Sequence, residues 1–134
     1  MKIESVRDKL LTNYEVLEFV NSIKQKQKRA ASKHKAVFKT ENLETIVLEL
    51  QGYLKATPAG KQSPDDIRNF IEQIAEYGLE KAELLQIINV APTSAVTLHA
   101  LIEECDSRLT DEQRDHILEI VAAHLHPSEH QAAE

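Results

Sequence analysis

The chain has no tryptophan, only six aromatic rings, three glycines and one cysteine among its 134 residues. Each shortage closes off a class of protein. Gly52, Gly60 and Gly78 lie far apart and cannot build the Gly-rich loop that cradles phosphates, so a P-loop or dinucleotide fingerprint is excluded. The lone thiol, Cys105, rules out an intramolecular disulfide framework and suits a reducing compartment. With so few rings the core has to be aliphatic, which favours helix on helix over a sheet sandwich. No run of about 18 apolar residues occurs. Met1-Lys2-Ile3-Glu4 lacks the apolar stretch of a signal peptide, and the expectation is a soluble, intracellular chain with no membrane contact.

Signals for catalysis are equally scarce. His116, His124, His126 and His130 cluster near the C-terminus without metal-ligand spacing. The acid pairs Glu103-Glu104 and Asp111-Glu112 are adjacent on helical segments, where neighbours diverge by about 100°. No nucleophile, cofactor loop or metal cluster can be assembled, so no catalytic residue, cofactor or metal is assigned and no enzyme is expected.

What the sequence does have is a succession of amphipathic helices with clear stops. Lys2 to Val6 can form a short strand. Thr12 or Asn13 can cap a first helix over about 13 to 28, in which Tyr14, Leu17, Val20 and Ile23 share a face that Val16 and Phe19 widen. Leu43, Ile46, Val47, Leu50 and Leu54 give a second helix its stripe before Thr57-Pro58 ends it. Ser63-Pro64-Asp65-Asp66 combines an N-cap, a proline at the first helical position and two acids suited to the helix dipole. The helix it opens is expected to bury Ile67, Phe70, Ile71 and Ile74 and to close at Gly78. Leu79 to Asn89 predicts a fourth, with Ala82, Leu85 and Ile88 as its stripe beside Leu84 and Ile87, broken by Pro92. A fifth helix bearing Val96, Leu98, Leu101 and Ile102 is expected from Thr93 or Ser94 to near Asp106. Thr110 with Gln113 forms a capping box for a sixth, carrying Ile117, Ile120, Val121 and Leu125.

Charge is unevenly spread. Lys24 to Lys39 holds seven basic residues and no acid, whereas from Thr40 onward six Lys/Arg face eighteen Asp/Glu, a balance of −12. An acidic helical module matches phosphate backbones poorly and suits protein partners. The basic stretch reads as a solvated linker, or as a nucleic-acid or acidic-surface contact through Lys24, Lys26, Lys28, Arg29, Lys33 and Lys35.

Several phrases, in order and with compatible spacing, resemble one family. They are Leu10-Leu11-Thr12-Asn13-Tyr14-Glu15-Val16, Asn42-Leu43, Thr57-Pro58 and Gln62-Ser63-Pro64, then Lys81-Ala82-Glu83, Leu85-Gln86, Asn89, Pro92 and Ala95-Val96, and last Arg108-Leu109-Thr110-Asp111-Glu112-Gln113. From about 10 to 125 the chain resembles the smaller stalk subunit of RNA polymerase III. That family is also called calcitonin gene-related peptide receptor component protein, and it is related more distantly to the corresponding small component of archaeal RNA polymerase.

The resemblance implies an all-α protein in two parts. Residues 1–57, including a basic loop over 29–39, would dock on the larger stalk subunit, which carries an OB-fold. Residues 58–126 would form a module like the helicase-and-RNase-D C-terminal (HRDC) domain, followed by a flexible tail over 127–134. It further implies a nuclear, non-catalytic subunit whose stalk heterodimer meets the polymerase core and initiation factors, with direct nucleic-acid binding weak or absent. The apolar residues expected to form the docking interface are Leu10, Leu11, Tyr14, Leu17, Leu43, Ile46 and Leu50. The competing reading is an independent nucleic-acid-binding helical module that uses residues 24–39.

Overall fold

A computed structural model describes residues 9–32 and 41–126, and every regular element among them is helical. The expected strand over Lys2–Val6, the tail over 127–134, and Lys33 and Lys35 lie outside the described residues. The elements are α1 (Asn13–Ser32), α2 (Glu41–Ala56), α3 (Pro64–Ile74), α4 (Lys81–Val90), α5 (Ala95–Leu101), α6 (Cys105–Arg108) and α7 (Asp111–Leu125). Single 3₁₀ turns at Pro58–Gly60 and Ala75–Tyr77 join and extend them.

α1 and α2 pack as a hairpin. α1 begins with a capping box: the Thr12 N–H donates to Glu15 Oε2 (2.8 Å) and the Glu15 N–H to Thr12 Oγ1 (3.1 Å), satisfying two amides the helix leaves without partners. The helix runs to Ser32, past the stop near residue 28 expected from the sequence, so Arg29 to Ser32 are helical where a loop was expected. Two alanines, which lose least on entering a helix, and cations suited to a helix C-terminus account for the extension. Leu17, Val20 and Leu54 are buried between the two helices.

The remaining helices enclose a single apolar core of Phe70, Ile74, Ile87, Ile88, Leu98, Ile102, Ile117, Ile120, Val121 and Leu125, with α3 laid along α7. Local signals fix their ends. Ser63 Oγ accepts from the Asp66 N–H (3.2 Å), Gly78 adopts the left-handed conformation (φ 61°), and Thr110 and Gln113 form the reciprocal box.

Beyond the longer α1, four expectations differ from the structure. α5 stops at Leu101: Ile102 is extended and buried, Glu104 is left-handed (φ 49°), and the chain restarts as the single turn α6. The break is held by the Glu103 N–H on Glu83 and by Arg108 on the Glu103 carbonyl, with Ile102 buried beside it. α4 is rotated from its predicted stripe, burying Glu83, Ile87 and Ile88 while Ala82 faces solvent. Ile71 and Val96, expected inside, are 44% and 82% exposed.

Candidate partner-binding surface

The two helices of the hairpin run in opposite directions. Gln51 lies against Asn21 and Lys24, donating to Asn21 Oδ1 and accepting from Lys24 Nζ (2.9 Å), while Asn13 and Gln62 both meet the last turn of α4. At about 100° per residue, Leu43, Ile46, Leu50 and Tyr53 fall within an arc of about 80° on α2, on the flank turned away from Gln51. Val16, Phe19 and Ile23 fall on the flank of α1 turned away from Asn21. In an antiparallel pair these flanks lie on the same side. The hairpin therefore has a side built on Asn21, Lys24 and Gln51, where among the described residues Leu48 (55% exposed) is the one large apolar side chain left open, and an apolar side with Phe19 61%, Ile46 59%, Tyr53 64% and Leu43 49% exposed. Four large apolar side chains left uncovered on one side of a two-helix unit form the kind of patch that marks an interaction surface.

The seven residues singled out from sequence separate into three groups. Leu43, Ile46 and Leu50 share the apolar side, Leu50 being partly covered. Leu10 and Leu11 are exposed just before α1, while Tyr14 turns toward the helical module and lines a groove of about 250 Å³ with Pro64, Ile67, Ile71 and Ile88. Burial there, reinforced by the Glu18 carboxylate, raises the Tyr14 pKa. Leu17 departs from the set: at 6% exposure it fills the α1–α2 seam and has no surface to offer a partner. Phe19 and Tyr53, the most exposed rings of the apolar side, are the members that the docking set drawn from sequence left out, although Phe19 was read as part of the first helix's apolar face. Their signal was their place on the flank of each helical stripe, where a second surface rather than the first helix would cover them.

The basic residues are less unified. Lys24 is held to Gln51, Lys26 is exposed on α1, and Arg29 is exposed within the last turns of the helix. For Lys28 only the backbone is described. Among the described residues no group of three His, Cys, Asp or Glu side chains converges as a metal site requires, and no helix is long and apolar enough to cross a membrane.

The module's strongest electrostatic feature was also unforeseen. The Glu83 carboxylate, 8% exposed, accepts both arms of the Arg108 guanidinium (2.6 and 3.1 Å) and the N–H groups of Glu80 (2.8 Å) and Glu103 (3.1 Å). Arg108 also donates to the Glu103 carbonyl (2.9 Å). The Arg108 bonds, helped by the two amides, outweigh desolvation and hold the Glu83 pKa down at about 2. One carboxylate thus clamps α4 to the turn that breaks α5 and to α6. It is a structural device, closed to ligands.

The sequence profile of the family described as RNA polymerase Rpb4 matches residues 10–125, which spans both the hairpin and the module. The chain belongs to the RNA polymerase Rpb4 family. Three proteins named DNA-directed RNA polymerase III subunit rpc9 resemble this Rpb4-family chain along most of their length. The Schizosaccharomyces pombe protein is 33% identical, covering 84% of this chain and 89% of its own. The Dictyostelium discoideum protein is 28% identical over 80% and 78%, and that of Saccharomyces cerevisiae 24% over 92% and 99%. The Rpb4-family match begins at Leu10, the residue that precedes the capping box of α1 by two, and ends with α7 at Leu125.

Proposed function

We propose that this chain is a non-catalytic subunit of nuclear RNA polymerase III. Its α1–α2 hairpin docks on a larger, OB-fold-bearing stalk subunit, and its HRDC-like module, residues 58–126, projects toward initiation factors. The observation that carries the reading is the apolar side of the hairpin. Phe19, Leu43, Ile46 and Tyr53 stand uncovered on a chain whose family assembles into polymerases, and aromatic and aliphatic side chains clustered in this way are what a stable interface buries at its centre. The module, by contrast, carries an excess of acid and meets its partners as protein surfaces.

Co-expression with the larger stalk subunit tests the proposal. The wild-type pair is expected to co-purify at equal stoichiometry, and Ile46→Glu with Tyr53→Glu is expected to abolish the pair while leaving the chain folded, since both side chains are solvated already. A wild-type chain with no affinity for that subunit, or a double variant that still pairs, would overturn it.

A further inference from the structure

Besides the Pro58–Gly60 turn that joins them and the apolar groove beside α3, hairpin and module are tied by hydrogen bonds at the last turn of α4. There the N–H of Asn13, the first helical residue of α1, donates to the side-chain Oδ1 of Asn89 (2.8 Å), 76 residues away in sequence. One residue earlier, the Ile88 carbonyl accepts from Gln62 Nε2 (2.8 Å), which secures the segment leading out of the hairpin. One turn beyond, the Ala91 carbonyl is bonded to His126 Nε2 (2.7 Å). The amide of Asn13 belongs to the four that an α-helix cannot satisfy from within. Thr12 and Glu15 already engage each other's N–H groups, so the acceptor for Asn13 comes from the module.

The rest of the seam is apolar and open. Tyr14, Pro64, Ile67, Ile71 and Ile88 line a groove in which Ile71 remains 44% exposed. Apolar contact is non-directional and tolerates sliding, whereas an N–H···O bond weakens steeply once its geometry is lost.

We propose that Asn89 is a positioning residue: its carboxamide oxygen, capping the first amide of α1, fixes the angle at which the module stands on the hairpin. With the hairpin docked as proposed above, that bond sets the one direction in which the acidic module is presented. The angle is a property of the free chain, so it can be tested whether or not the docking reading holds.

The measurement is backbone amide residual dipolar couplings of the full chain in a stretched gel. In the wild type a single alignment tensor is expected to fit α1, α2 and α3 to α7 together. Asn89→Ala is expected to lose the single-tensor fit, each half still fitting by itself. Asn89→Asp retains the acceptor oxygen and is expected to restore the common tensor. Asn13→Pro approaches the bond from the other side: proline at a first helical position is well tolerated but has no N–H to donate, so it should uncouple the halves without disturbing the module. Two tensors in the wild type, or a single tensor in Asn89→Ala or Asn13→Pro, would overturn the assignment. So would a failure of Asn89→Asp to restore it.

Discussion

Replacing Glu83 by glutamine preserves shape and most hydrogen-bonding capacity while removing the one charge the module buries against a guanidinium. The cost can be worked from the folded pKa. A carboxyl that falls from the 4.5 of a free side chain to about 2 on folding contributes, at about 1.4 kcal/mol for each tenfold change in affinity, about 3 kcal/mol at neutral pH. Arg108 keeps 31% of its side chain in solvent, and this screening lowers the expected loss in Glu83→Gln to about 2 kcal/mol. That is a large share of a small domain's total stability. The folded state binds this proton more weakly than the unfolded chain does. Its contribution is therefore complete above the unfolded value of 4.5 and disappears as the pH falls from there toward about 2. Urea unfolding of both proteins at pH 7 and at about pH 3 checks this. The stability gap should be about 2 kcal/mol at pH 7 and shrink by more than half at the lower pH. Equal midpoints at pH 7, or a gap unchanged on acidification, would refute the view that the Glu83–Arg108 pair carries the energy.

Other substitutions follow from local geometry. Gly60→Ala would place a methyl 2.2 Å from the Lys55 carbonyl oxygen, forcing backbone to move and costing about 2 kcal/mol or more. Gly52→Ala meets nothing and should gain about 0.5 to 1 kcal/mol in mid-helix, so a pair of thermal melts with shifts of opposite sign is the expected result. Thr110→Ala removes the cap of α7 and should cost about 1 kcal/mol in chemical denaturation. For the competing nucleic-acid reading, Lys24→Gln with Lys26→Gln is expected to leave the chain's binding to single-stranded RNA unchanged across a salt titration. A clear loss of salt-dependent affinity would favour that reading over the polymerase one.

What could be read in the sequence was what is decided locally. Ser63-Pro64-Asp65-Asp66, Gly78 and the Thr110–Gln113 box each set a helix end through groups within a few residues, and each end stands where those residues put it. The stop of α5 was not legible because nothing near Leu101 announces it. The turn is held by the Glu103 N–H on Glu83, 20 residues away, and by Arg108 on the Glu103 carbonyl. The same carboxylate explains why α4 is rotated from its predicted stripe: an apolar count cannot anticipate a glutamate that turns inward to meet an arginine. Periodicity also identifies an apolar arc without saying which part of it the chain itself covers. Leu17 and Ile46 looked alike in sequence, yet Leu17 is sealed against α2 while Ile46 is left on the outside. Ile71 and Val96 were misplaced for the same reason.

Ion pairing within the module leaves the charge asymmetry of the chain in place. Each of the three arginines beyond Thr40 is paired within the module: Arg68 with Asp65, Arg108 with Glu83, and Arg114 with both Asp106 and Asp111. Arg108 and Arg114 are thereby drawn into structural roles, while Lys61 and Lys81 stay exposed among the module's more numerous carboxylates. Lys24, Lys26, Lys28 and Arg29 lie along the far half of α1. Counted from Asn13 at the seam with the module, they stand about 16 to 24 Å along the helix at 1.5 Å per residue. At about 8 Å, the Debye length in physiological salt is much shorter than that separation, so the two ends do not neutralise each other as a partner approaches. Each can orient its own encounter, and under the docking proposed above the uncharged face formed by Phe19, Leu43, Ile46 and Tyr53 would supply the contact that lasts.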